Sequence, residues 1–209
     1  LPICDRQMRE QYFKYGNHPR EMVNWYQAIA FCRWLSHKLW AVGTSNGMSE
    51  RTARRPSLQD YDPMNAATWL VRLPTEFEWE KAARGTDGQE YPWGDGYRVG
   101  YANINETYGG VGPYYLGQTT AVGLYPQGAA PYGVLDLSGN VWEWCLTDWN
   151  KPVQSASGED LRSDASRVLR GGAWFYIQLF ARAGYRRYFH GPSYCHDNFG
   201  FRLLRAPSL

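Results

Sequence analysis

RLPTEFEWEKAARG, residues 72–85, reads as a helix with both of its ends written into it. Thr75 stands where an N-cap hydroxyl accepts from an amide three residues on, Glu78 is spaced to return the bond, and Pro74 precedes the turn: a capping box. Trp79, Ala82 and Ala83 supply an apolar stripe, and Gly85 supplies the stop. Upstream, NWYQAIAFCRWLSHKL (24–39) opens on Asn24 as N-cap and places Trp25, Ala28, Ile29, Cys32, Leu35 and Leu39 on one face, which predicts a first amphipathic helix. Between the two, residues 41–66 turn polar and are broken by Gly43, Gly47, Pro56 and Pro63, the composition of a surface insertion.

Downstream of Gly85, glycines, prolines and aromatics recur every few residues, and only short strands are expected, at 121–125, 141–145, 167–169 and 201–204. The class is therefore α+β, with two helices, short strands and many ordered loops. Loops of that extent need internal fastening to offset their entropy. Ten Trp, sixteen Tyr and eight Phe supply it, and leave aromatic surface for a binding face.

Two hundred and nine residues suit a single domain, 1–209. With 22 basic and 20 acidic residues there is no basic stripe, which excludes a nucleic-acid partner on electrostatic grounds. No apolar run approaches the roughly 20 residues that cross a bilayer, so no membrane insertion is expected. Residues 1–9 lack a signal peptide's order, which favours a cytoplasmic place for the chain as given. The chain starts at Leu1 and runs early into a helical pattern, so a preceding N-terminal part is expected. Cys4, Cys32, Cys145 and Cys195 show no C-x-x-C spacing and read as reduced structural thiols.

Five segments in fixed order carry a resemblance: RLPTEFEWEKAARG (72–85), YPWGD (91–95), YGVLDLSGNVWEW (132–144), RVLRGGAW (167–174) and GFRLL (200–204). Together they resemble the formylglycine-generating-enzyme and sulfatase-modifying-factor family, which implies that family's variant of the C-type-lectin fold. In DLSGNVWEW, Asp136 and Glu143 with the carbonyls of Gly139 and Val141 are the oxygen donors that calcium favours. The resemblance implies a structural Ca2+ at those four residues. A second family site would use Asn103 and Ile104, but its acidic partner is missing near 116–119.

The family's oxidases use a cysteine pair just after the Arg-Gly-Gly turn. Here Tyr176 stands where the first would fall, and no thiol occurs from Trp174 to Gly191. A phenol cannot replace a soft thiolate ligand, so no catalytic residue is assigned and the chain is expected not to be an enzyme. His18, His37, His190 and His196 lie in unrelated contexts and do not form the three-histidine iron site of another branch of the family. The competing expectations are a catalytic or maturation factor of the same fold, and an accessory regulatory domain such as those fused to bacterial kinases.

Ten of the 28 residues from Trp174 to Phe201 are aromatic, in no strand or helix period. Trp174, Tyr185 and Phe201 are expected in the core, with Arg182, Arg186 and Arg187 as loop braces. Residues 175–199 contain no Trp, Lys, Glu or Met. That pattern resembles the variable proteins of diversity-generating retroelements, in which randomised adenines change asparagine codons to a limited set of residues. The resemblance implies a ligand-binding region at 174–199 whose contacts are Phe175, Tyr176, Ile177, Leu179, Phe180, Tyr188, Phe189, His190, Ser193, Tyr194, Cys195, His196 and Asp197. Its partner would be a protein or other macromolecule, and the oligomeric state is left open.

Overall fold

The computed structural model describes residues 9–45, 71–151, 160–188 and 191–205. The strand expected at 141–145 is present as β2 (Trp142–Asp148), the longest among the described residues and buried along nearly its whole length. It pairs antiparallel with β3 (Arg167–Arg170) and parallel with β5 (Phe199–Gly200), and β4 (Arg186–Arg187) adds antiparallel to β3. The sheet order is β4-β3-β2-β5. A separate ribbon pairs β1 (Val71–Arg72) with β6 (Leu204–Arg205), which brings the two ends of the second half together.

α1 (Trp25–Ser45) starts where Asn24 predicts: its Oδ1 accepts from the Gln27 amide at 2.9 Å, and Gln27 Oε1 accepts from the Asn24 amide at 3.0 Å. Trp25, Ala28, Ile29 and Cys32 are buried, while Leu39 is 43% exposed. The stripe ends at Ser36, whose hydroxyl donates to the Val71 carbonyl and accepts from its amide, so a polar contact replaces apolar packing there. The helix also runs five residues into the expected insertion, since a single glycine such as Gly43 costs a helix only about 1 kcal/mol. Residues 46–66 of that insertion lie outside the described residues.

α2 (Glu76–Arg84) carries the full capping box at Thr75 and Glu78, and Gly85 ends it at φ 64°. A third, short helix, α3 (Glu106–Gly109), is capped by the Asn105 side chain and was not expected. The strand expected at 121–125 is absent: Gly123 takes φ 78° and a 3-10 turn follows at Pro126–Gly128, so the short alternation there is a turn, not a ladder. Of the strand expected at 201–204 only Leu204 is extended in a ladder, as β6 begins there, while residues 201–203 form none and β5 has already ended at Gly200.

The core is tied by tryptophans whose N–H groups cross between elements. Trp25 Nε1 donates to the Cys145 carbonyl at 2.9 Å, and Trp144 Nε1 to the Val23 carbonyl at 3.0 Å. Beside it, the buried Arg170 on β3 donates to Glu80 at 2.6 Å, lies 3.4 Å from Glu76, and donates to the carbonyls of Ala183 and Tyr185 at 3.3 Å. Arg186 on β4 grips Glu76 through two bonds of 2.7 and 2.9 Å and lies over Trp149. A helix, two strands and the chain just before β4 thus share one buried ionic cluster.

Candidate functional site

The Arg-Gly-Gly turn after β3 needs its glycines. Gly171 and Gly172 hold φ 93° and 76°, and a Cβ on Gly172 would meet the Phe180 carbonyl and the Ala181 backbone at 3.0 Å. That close approach folds 174–181 back onto the turn, with a 3-10 turn at Gln178–Ala181.

From there the backbone of the segment is held by groups outside it. The Trp174 amide donates to the Asn140 carbonyl at 3.0 Å, and the Tyr176 carbonyl accepts from the Asn105 amide at 2.9 Å. The Gln178 carbonyl accepts from the Tyr91 hydroxyl at 3.2 Å, and the Ala181 carbonyl from the Ser138 hydroxyl at 2.9 Å. The Ala183 amide donates to the Glu90 carbonyl, while the carbonyls of Pro192, His196 and Asn198 accept from the amides of Trp25, Met22 and Trp142. All eight use main-chain atoms of the segment, so none depends on which side chain stands at its position.

The side chains divide into two sets. Phe175, Leu179, Tyr188, Ser193, Tyr194 and His196 are exposed. Tyr176 and Phe180 are half-buried and pack on the core: Tyr176 sits edge-on to Trp142 at 5.5 Å and to Phe180 at 5.4 Å, and Phe180 lies 5.1 Å from Tyr185. Arg187 lies over the rings of Trp142, Tyr176 and Phe180 at 5.8, 5.0 and 5.3 Å. Burial raises the Tyr176 phenol above its ordinary pKa, against the opposing pull of Arg187. Ile177, Cys195 and Asp197 are intermediate, with Asp197 Oδ1 2.5 Å from His196 Nδ1. Phe189 and His190 lie outside the described residues. Of the residues expected in the core, Trp174 is buried and Tyr185 and Phe201 are half-buried.

Tyr115, which no motif marked, belongs beside this face. Its ring stacks on Trp174 at 6.4 Å, and Phe13 meets the same tryptophan edge-on at 5.7 Å, with Phe175 on a further edge. A signal was present: between Glu106 and Asp136 no charged residue or histidine occurs, in a chain that is 20% charged. The buried Glu106 holds this loop, accepting from Tyr97, Gly100 and Tyr114.

Among the described cysteines, Cys32 and Cys145 are fully buried and Cys195 is partly so. Burial pushes the Cys32 thiol up to about 12 and raises that of Cys145 further, which keeps both protonated. The described residues contain no group of three or more His, Cys, Asp or Glu that could hold a metal.

Asp136, Val141 and Glu143 do converge, lining a cavity of about 510 Å³ together with Asn140 and Arg202. Burial raises the Asp136 carboxyl above its usual range, opposed by a hydrogen bond from the Gly123 amide and by Arg202. The set does not fit calcium as it stands, because a cation of the chain already occupies Glu143. Arg202 donates through Nε to Oε2 at 2.5 Å and through Nη2 to Oε1 at 2.6 Å, and Trp79 Nε1 adds a bond to Oε2 at 2.6 Å. Asn103, the residue of the second family site, is buried and donates to Gln118, Thr120 and Asn140.

Residues 2–207 match the family described as sulfatase-modifying factor enzyme 1-like domain. The inactive C-alpha-formylglycine-generating enzyme 2 of Mus musculus is 31% identical over 199 residues, covering 88% of this chain and 58% of that protein. The formylglycine-generating enzyme of Mycobacterium tuberculosis is 30% identical, covering 85% and 60%. The chain therefore spans less than two thirds of these relatives. Among solved structures, Treponema denticola variable protein 1 superposes with a TM-score of 0.61 at 28% identity, over 96% of this chain and 77% of that one. No described helix is long and apolar enough to cross a membrane. The fold is the α+β, C-type-lectin-like fold of the formylglycine-generating-enzyme type, and the chain belongs to the sulfatase-modifying-factor family, among whose named members stand both a formylglycine-generating enzyme and an inactive counterpart.

Proposed function

We propose that this chain is a non-catalytic binding domain that displays exchangeable side chains on 174–199, as the variable proteins of diversity-generating retroelements do. The observation that carries the reading is the main-chain pinning of its described residues: eight bonds to outside groups hold the backbone within 174–183 and 192–198, while Phe175, Leu179, Tyr188, Ser193, Tyr194 and His196 are exposed. A backbone held this way keeps its shape when side chains change, and exposed Tyr, Phe and His make strong contacts at low entropic cost. The overall likeness to the Treponema variable protein supports it. The proposed ligand is a macromolecular surface, because Phe175, Leu179, Tyr188 and Tyr194 are large apolar or aromatic side chains left exposed.

The test is to replace those six exposed residues together with serine or alanine. The melting temperature is expected to fall by no more than about 10 °C, because exposed substitutions are individually worth within about 0.5 kcal/mol, at most about 3 kcal/mol for the six together. A loss as large as that of a Tyr176→Ala, Phe180→Ala double variant would sink the display reading. Catalysis is tested separately. Incubated with copper, oxygen and a cysteine-containing peptide, the protein is expected to form no formylglycine, and turnover would overturn the non-catalytic part of the reading alone.

A further inference from the structure

We infer that the guanidinium of Arg202 is the resident cation of the 132–144 loop and closes that loop without calcium. This stands on geometry independent of any role for 174–199. Calcium is held by six to eight hard oxygens, carboxylates mixed with backbone carbonyls. Arg202 collects that kind of set: both oxygens of Glu143, and through Nη2 the carbonyls of Leu135 at 3.2 Å and Asp136 at 3.0 Å.

With the Trp79 bond, three of the roughly four acceptor positions of the Glu143 carboxylate are filled. A guanidinium cannot shed its proton to make way, since its pKa exceeds 12. A divalent ion could reach Glu143 only by displacing Arg202 or by lying against a like charge. Asp136 gives one oxygen to the Gly123 amide at 2.7 Å, so the loop's two carboxylates are already engaged by donors of the chain.

The arrangement also has a purpose in the fold. Arg202 sits two residues beyond β5 and Glu143 on β2, whose parallel pairing spans only two residue pairs. The fork extends that short ladder by a charged, bidentate clamp. The same loop sends the Gly139 amide to the Gly171 carbonyl at 2.7 Å, at the turn from which 174–199 departs. A covalently attached cation keeps this support in place at any calcium concentration.

The experiment measures thermal unfolding of the full chain in millimolar calcium and in excess EDTA, with terbium luminescence sensitised by tryptophan as the binding readout. The two melting temperatures are expected to agree within about 2 °C, with no saturable terbium signal. A site filled at a hundred times its Kd would instead raise the melting temperature by about 5–10 °C, and that rise or a stoichiometric terbium signal would overturn the inference. In EDTA, Arg202→Met is expected to melt about 10 °C lower. An unchanged melting temperature for this variant would overturn the clamp as well. If the variant does not fold, the comparison on the native sequence decides.

Discussion

Arg170→Ala is expected to destabilise the protein by about 3–5 kcal/mol and to lower its melting temperature by about 10 °C or more, as removal of one member of a buried ionic cluster does. The side chain is 1% exposed and serves Glu80, Glu76 and two backbone carbonyls at once. Its loss leaves Glu76, itself 3% exposed, with Arg186 alone and frees the carbonyls of Ala183 and Tyr185 inside the fold. Those carbonyls end the segment that returns to β4, so slackening is expected there first. Glu80 is 28% exposed and also paired with Arg84, so Glu80→Gln should cost much less. Arg170→Met separates charge from volume, because it restores most of the packing and none of the bonds. If Arg170→Met proved as stable as the native chain in denaturant titrations, the cluster would be ornamental and packing alone would hold β3 against α2.

How much of this was legible in the chain differs by the range of the interaction. The start of α1 and the whole of α2 were readable because a cap is a local event, settled between Asn24 and Gln27 or Thr75 and Glu78. The end of its buried stripe was not, because it depends on Ser36 meeting Val71, thirty-five residues away. Strands of two residues, such as β4 and β6, carry no period to read, and exist only because longer-range contacts bring them beside β3 and β1. The 174–199 segment was recognisable as unusual, yet its division into inward and outward side chains was not. That division is set by the 3-10 turn, which exposes Leu179 and turns Phe180 to Tyr185, and no alternation in the sequence announces it. Arg202 escaped for the same reason: its family motif marks the position, while its partner lies fifty-nine residues earlier.

Trp142→Ala is expected to cost about 3–5 kcal/mol and, unlike most core truncations, to act on the proposed binding face directly. The indole is fully buried and forms the floor under that face, with Tyr176 edge-on at 5.5 Å, Tyr185 at 6.1 Å and the Arg187 guanidinium 5.8 Å above its ring. The Trp142 amide also holds the Asn198 carbonyl at 2.8 Å, but alanine keeps that bond, so the variant isolates the ring. Removing the ring leaves a cavity bounded by Tyr176 on the segment and by the central strand, and the less expensive side of that cavity to collapse is the segment. Proteolysis under native conditions is therefore expected to cut within 174–188 sooner in Trp142→Ala than in Phe175→Ala, whose ring is 55% exposed and meets only the edges of Trp174 and Tyr176. Equal protection of the segment in the two variants, measured at matched distance from their melting temperatures, would show that the backbone bonds suffice and that the aromatic floor plays no part in holding the display.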